Sequence, residues 1–107
     1  LYFEYIRERL GKESTVVPDK GFAIYFDTPH GLYVEEIYVK PECRREGVAE
    51  ALMVRLQHIA KERNFKYLIG SVEINSTNPE PSLIGMLKNG FKLHENSGSM
   101  IYLKKEI

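Results

Sequence analysis

The spacing of apolar positions changes along the chain, and each change marks an element. Over residues 2–10, Tyr2, Phe3, Tyr5, Ile6 and Leu10 are set among Glu4, Arg7, Glu8 and Arg9. This predicts a short helix ended by Gly11. Residues 13–17 read as a brief strand. Pro18-Asp19-Lys20-Gly21 is a turn. Residues 22–26 are β-rich and close at a second turn, Thr28-Pro29-His30-Gly31. Residues 32–40 are β-rich again, and Pro41 ends them. The first part is therefore expected to be antiparallel and built from hairpins.

From Gly47 onward the period lengthens. Val48, Leu52, Leu56 and Ile59 recur at three- and four-residue spacing, and Ala49, Ala51, Met53 and Ala60 widen the stripe. Glu50, Arg55, Gln57, Lys61 and Glu62 are polar. The pattern predicts a helix of about 16 residues, with Asn64 as its stop. Residues 67–75 form another β-rich run. Asn78-Pro79-Glu80-Pro81 opens a second helix over residues 82–88, with prolines in the first turn where they are tolerated. Gly90 caps it. Residues 92–95 and 100–105 read as a closing hairpin across Asn96-Ser97-Gly98-Ser99. The order is α, β, β, β, α, β, α, β, β. A strand, a helix and another strand imply a parallel or splayed pair.

Composition narrows the class. The 107 residues make one domain, 1–107. Lys plus Arg and Asp plus Glu are 15 each, so the net charge is zero. That argues against a broad footprint for duplex nucleic acid. No apolar run approaches ~18 residues, and no secretory leader opens the chain. A cytoplasmic protein with no membrane association is expected. Cys43 stands alone, which excludes an internal disulfide and a Cys-rich zinc module. It reads as a loop thiol. His30, His58 and His94 form no pair at metal-ligand spacing, so no metal is expected. The sequence does not begin with Met, so a processed chain or a fragment is expected, its N-terminal part shortened or missing.

The junction before the long helix carries the chemistry. It reads Tyr38-Val39-Lys40-Pro41-Glu42-Cys43-Arg44-Arg45-Glu46-Gly47-Val48-Ala49. A strand runs into a glycine-containing turn that opens a helix. The first helical N–H groups have no internal partner, and the dipole adds positive potential there, so such a terminus binds phosphate. Gly47 and Ala49 are small enough for close approach, and Arg44 and Arg45 add charge. From spacing alone, a charged helix start with an incidental glycine fits equally well.

Arg44-Arg45-Glu46-Gly47-Val48-Ala49 resembles the Gln/Arg-x-x-Gly-x-Gly/Ala signature of the GCN5-related N-acetyltransferase (GNAT) superfamily. The preceding Tyr38-Val39-Lys40-Pro41-Glu42 resembles that family's strand ending in Val-x-Pro. Downstream, Asn78, Ser82 and Leu87-Lys88-Asn89-Gly90-Phe91 are similar to the family's Asn…Ser/Ala…Lys-x-Gly-Phe segment, one residue longer in spacing. The resemblance covers roughly residues 15–107. It implies an α/β fold of α+β type, with a mixed, mostly antiparallel sheet, a splayed parallel pair and flanking helices. It also implies acetyl-CoA as cosubstrate. The pantetheine would pair with the backbone of Ile37, Tyr38 and Val39. The pyrophosphate would rest on the amides of Arg44, Arg45, Glu46, Gly47, Val48 and Ala49. Asn78 would bond the cofactor or main chain, or cap the second helix.

Acetyl transfer to an amine needs a base, a polarised thioester carbonyl and a stabilised thiolate. Three carboxylates are candidate bases. Glu35 and Glu36 alternate between sheet faces, and a bulge would exchange them. Glu73 lies five residues before Asn78, a spacing similar to that of the ribosomal-protein alanine acetyltransferases. The family's usual acid is a Tyr four residues past the Ser/Ala position. Here that position is Met86, which cannot donate a proton, so Tyr25, Tyr33, Tyr38, Tyr102 or water would have to substitute.

The implied acceptor is a primary amine of a small molecule or a peptide. Gly21 to Tyr25 and Leu32 to Glu36 are similar to the matching strands of spermidine/spermine N-acetyltransferases, and paired carboxylates suit a polyamine. A peptide amine is the rival. A catalytically degenerate acetyl-CoA-binding or interaction module with the same fold is the alternative to an enzyme. The final hairpin offers an edge through which a homodimer could form.

Overall fold

The computed structural model describes residues 11–73, 75 and 79–107, with side chains at 11–73, 75 and 84–107. The helix expected over residues 2–10 and the expected cofactor residue Asn78 lie outside the described residues. Among the described residues, six strands and two helices follow in order. They are β1 (Glu13–Val17), β2 (Gly21–Thr28), β3 (Gly31–Val39), α1 (Val48–Glu62), β4 (Tyr67–Glu73), α2 (Pro79–Lys88), β5 (Lys92–Ser97) and β6 (Met100–Glu106). A single 3-10 turn, Pro41–Cys43, separates β3 from α1. The strands form one sheet in the order β1-β2-β3-β4-β6-β5. Every pairing is antiparallel except β3 with β4.

The sheet's alternation sets its core face. Ala23 and Tyr25 of β2, Leu32 of β3, Leu68 and Val72 of β4 and Leu103 of β6 are buried there. The stripe Val48, Leu52, Leu56 and Ala60 of α1 packs on them, as period-3.6 spacing requires. Removing so much branched aliphatic surface from water is the main stabilising term. Phe91 closes the same core beneath α2.

Helix ends follow local chemistry. Asn64 takes a left-handed conformation (φ 63°), and the Phe65 N–H reaches the Ala60 carbonyl at 2.9 Å. This ends α1 where the sequence predicts. α2 begins at Pro79, three residues before the expected start, because prolines in a first turn forfeit no intrahelical donor. Its far end is satisfied by the Asn89, Gly90 and Phe91 N–H groups, the last bonding Met86 at 3.0 Å. β4 is described as far as Glu73, and Asn75, expected in the strand, lies in a turn with its N–H donating to Glu73 Oε1 at 3.1 Å. The closing hairpin is tighter than expected, with Ser97 opposite Met100 and only Gly98-Ser99 between. Among the described residues, no helix is long and apolar enough to cross a membrane.

Arg63, just past α1, ties the helix to the sheet. Its guanidinium takes Glu13 in a bidentate pair at 2.6 and 2.9 Å and Asp27 at 2.6 Å. The hydrogen bond it donates to Glu13 holds its pKa above the ordinary arginine value against desolvation, with Asp27 adding to the rise. The guanidinium therefore stays charged at every working pH. A folded-state pKa raised this way gives stabilisation that is present below the ordinary arginine range. Arg63→Met is expected to lower stability by about 1–2 kcal/mol, since the pair is partly screened by solvent. The check is the urea midpoint at unchanged slope.

Candidate active site

The parallel pair is short. β3 and β4 meet only at Leu32–Leu68 and Tyr33–Ile69. Beyond them β3 stays paired with β2 as far as Val39, and β4 stays paired with β6 as far as Glu73. The two strands thus diverge, and residues 34–39 have no strand partner on the β4 side. A cavity of about 280 Å³ fills the gap. Val34, Glu35, Glu36 and Ile37 line it from β3 and Ser71 from β4. Ala49 and Met53 of α1 and Gly85 and Met86 of α2 close it, with Asn89 and Phe91.

A bulge in β3 decides where the glutamates go. Tyr25 pairs with Val34 and Ile24 with Glu36, so Glu35 is the extra residue. Val34 and Ile37 both pack against the core cluster although three residues apart. Strict alternation would send one of them away. Glu35 and Glu36 therefore stand together on the opposite face, exposed, instead of on alternate faces as expected. They do not have the same company. Glu35 Oε1 lies 2.6 Å from the ammonium of Lys12. Glu36 has no hydrogen bond or ion pair among the described residues.

Glu73 shares that face, two places beyond Ser71 on β4. It is not part of the cavity lining. A hydrogen bond from Ser99, then the Asn75 N–H, hold its carboxyl below the ordinary range. Of the four tyrosines weighed as acids, Tyr33 is hydrogen-bonded to a residue of the lining, Ser71. Tyr25 is buried on the core face, and Tyr38 lies against Phe22 with ring centroids 5.6 Å apart. Tyr102 pairs with Ser71 across β4 and β6.

Met86 occupies its place for a packing reason. A Cβ on Gly70, on the core face of β4, would overlap Met86 Cε, and Phe91 Cε2 would sit 3.8 Å away. Gly70→Val should displace the flexible end of Met86 and crowd Phe91 at a cost of about 1–3 kcal/mol. Because Met86 and Phe91 line the cavity, acetyl-CoA affinity is expected to fall with the melting temperature. Calorimetry on the folded fraction checks this.

Past Val39 the chain builds a second concavity of about 410 Å³, lined by Cys43, Arg44, Arg45, Gly47, Val48, Ala49 and Glu50. Arg45 and Gly47 are left-handed, at φ 69° and 79°. Such alternation turns successive N–H groups inward. The first backbone bond at the helix start is Ala51 N–H to Gly47 carbonyl at 3.0 Å. The N–H groups of residues 45–50 thus have no backbone acceptor among the described residues. Arg44 Nε donates to the Val39 carbonyl at 3.2 Å and braces the strand end. Lys20 meets Glu46 at 3.4 Å, which partly neutralises a carboxylate beside an anion cradle. A Cβ on Gly47 would meet nothing within 4 Å, so open space lies in front of the loop. Free amides, a helix N-terminus and open space fit a pyrophosphate. Ala49 lines both concavities, which places the loop at one end of the splay.

Sequence reasoning singled out Arg44, Arg45, Gly47, Val48 and Ala49, which line the second concavity, Glu35 and Glu36, which line the first, and Glu73, which lines neither. It missed Lys12, Ser71 and Asn89. Lys12 reaches Glu35 across 23 positions, and no local pattern signals that. Ser71 lies in an ordinary strand run. Asn89 caps α2 by donating to the Gly85 carbonyl at 2.8 Å, a role its place before Gly90 could have suggested.

Residues 14–91 match the family described as the acetyltransferase (GNAT) family. The chain belongs to that family. Among solved structures, it is similar to the PaiA N-acetyltransferase from Thermoplasma acidophilum, in complex with coenzyme A. The TM-score is 0.77 at 19% identity, covering 97% of this chain and 67% of that one. An acetyltransferase from Bacillus cereus gives a TM-score of 0.69 at 18% identity, over 90% of this chain and 73% of that one. Ard1 from Thermoplasma volcanium gives 0.67 at 20% identity, over 82% and 63%. At these identities the likeness shows the fold. The sheet is of GNAT type, mixed and mostly antiparallel, with one parallel pair and flanking helices. No curated protein matches the sequence.

Proposed function

We propose that the chain transfers the acetyl group of acetyl-CoA to a primary amine of a small molecule or peptide, by direct attack in a ternary complex. One observation carries this. The gap between β3 and β4 and the amide cradle of residues 45–50 share Ala49 in their linings. A thioester tethered by its pyrophosphate could thus lie in the splay. Bound there, acetyl-CoA supplies an activated acyl group and a thiol leaving group.

The chain's residues supply the rest. The cradle holds the anion and the unpaired edge of residues 37–39 holds the pantetheine. Glu36, in the lining and free of partners among the described residues, takes a proton from the amine, directly or through one water. The bulge leaves backbone N–H groups out of the ladder beside the cavity, where they can polarise the carbonyl. Tyr33, through Ser71, or water protonates the departing thiolate. Glu35 is neutralised by Lys12. Glu73, held acidic by Ser99 and Asn75, is the poorer base and steadies the β4 rim.

Titration with acetyl-CoA, with acetyl-pantetheine as control, tests the first half. Micromolar affinity that depends on the pyrophosphate supports it, and equal affinity for both compounds overturns it. Thiol release over an amine panel tests the second half. Binding without turnover would favour the alternative, a binding module. The observation on that side is Met86 packed over Gly70, which leaves α2 without a hydroxyl there.

A further inference from the structure

The two glutamates brought together by the bulge differ in one respect that bears on the acceptor. Ser14 pairs with Ile24, and Ile24 with Glu36, so these three share a face. Lys12, two residues before Ser14, starts on that face. Its side chain spans β2, and its ammonium ends 2.6 Å from Glu35 Oε1. The next residue, Glu13, is clamped from the other face by both nitrogens of Arg63. The base of the lysine is therefore fixed. Of two adjacent carboxylates beside the cavity, one already has a cation and the other, among the described residues, does not.

We propose that Lys12 is a specificity-determining residue, which restricts the acceptor subsite to an amine with a single cationic group. This rests on the acetyl-transfer reading above. Without Lys12 the pair would present two negative charges side by side, a good site for a diamine. With Lys12 in place, one ammonium can settle on Glu36. A second ammonium a few methylenes away meets the lysine's like charge. Lys12 thus selects against polyamines, the acceptor that two neighbouring glutamates suggest in the bare sequence.

The test compares n-butylamine with butane-1,4-diamine on the full chain loaded with coenzyme A or acetyl-CoA. Calorimetry gives the affinity ratio, and thiol release gives the ratio of kcat/KM. The wild type is expected to favour the monoamine or to bind both alike. Lys12→Gln removes the charge and leaves a polar side chain one atom shorter, and it should shift the ratio at least tenfold toward the diamine. Lys12→Arg should keep the wild-type ratio. Glu35→Gln, which leaves the lysine uncompensated, should move the ratio further toward the monoamine. It serves as second variant if Lys12→Gln does not fold. An unchanged ratio in Lys12→Gln and Glu35→Gln, or no binding of either amine to any variant, overturns the proposal. Absence of turnover in every variant would refute acetyl transfer to these amines, while the calorimetric ratio would still decide the role of Lys12.

Discussion

Gly47→Leu is expected to weaken acetyl-CoA binding roughly a hundredfold while the chain still folds. The physical case has two halves. A pyrophosphate on the cradle would accept charge-assisted bonds from amides of residues 45–50, and a branched side chain in front of them would keep it at a distance. Losing one or two such bonds costs about 3 kcal/mol, which is close to two decades in Kd. The fold should tolerate the change, because a Cβ at this position meets nothing within 4 Å. What remains is the left-handed backbone, φ 79°, at about 1 kcal/mol for a residue other than glycine. Arg45 already bears that conformation two residues earlier. The melting temperature should therefore fall by only ~4–8 °C. Gly47→Ala separates the halves, since it carries the strain without the bulk and should bind far better than leucine. Acetyl-pantetheine, which lacks the pyrophosphate, should bind wild type and Gly47→Leu alike. Wild-type affinity for acetyl-CoA in Gly47→Leu would remove the cradle from the site.

The parts legible in the sequence are those specified by local chemistry. Glu13–Val17 is named residue for residue, because the Pro18-Asp19-Lys20-Gly21 turn fixes where it must end. α1 is legible because one stripe of Val48, Leu52, Leu56 and Ala60 has a single period. The glycine turn before it is legible because an open helix start is a local property. What stays hidden depends on register. The bulge at Glu35 arises from the match of β2 to β3, and it reverses the parity of every residue after it. Counting alternate positions therefore misplaces the glutamates. The splay is foreseeable in kind from strand, helix, strand. Its apex at Tyr33–Ile69 depends on packing between elements 36 positions apart. Lys12 is hidden for the same reason, since its role exists only once β1 lies beside β2. Helix starts at prolines are misjudged by a few residues because the ring restricts φ without excluding the first turn.

Glu36→Gln is expected to cut kcat for an alkylamine by about 10²-fold, with acetyl-CoA affinity unchanged. An alkylammonium is protonated at neutral pH and cannot attack until it loses a proton. Glutamine keeps the size and hydrogen-bonding capacity of the side chain and cannot take that proton. Three readouts separate a base from a merely structural residue. Glu36→Asp should recover part of the rate, since a shorter carboxylate can still act through water. Amines of low basicity, already neutral at pH 7, should lose much less rate in Glu36→Gln than alkylamines do. Glu73→Gln should leave both classes near the wild-type rate. That last contrast follows from the sign of the Glu73 shift. A carboxyl held below its ordinary pKa by Ser99 and Asn75 is stabilised as the anion, and it gives up that stabilisation when it accepts a proton. Its hydrogen bonds favour the folded chain above the ordinary carboxylate pKa, and they are lost only as pH falls through the lowered value. Glu36 has no such bonds among the described residues to give up. Equal losses for strongly and weakly basic amines in Glu36→Gln would show that Glu36 positions the acceptor without deprotonating it. A collapse of rate in Glu73→Gln alone would move the base to the end of β4.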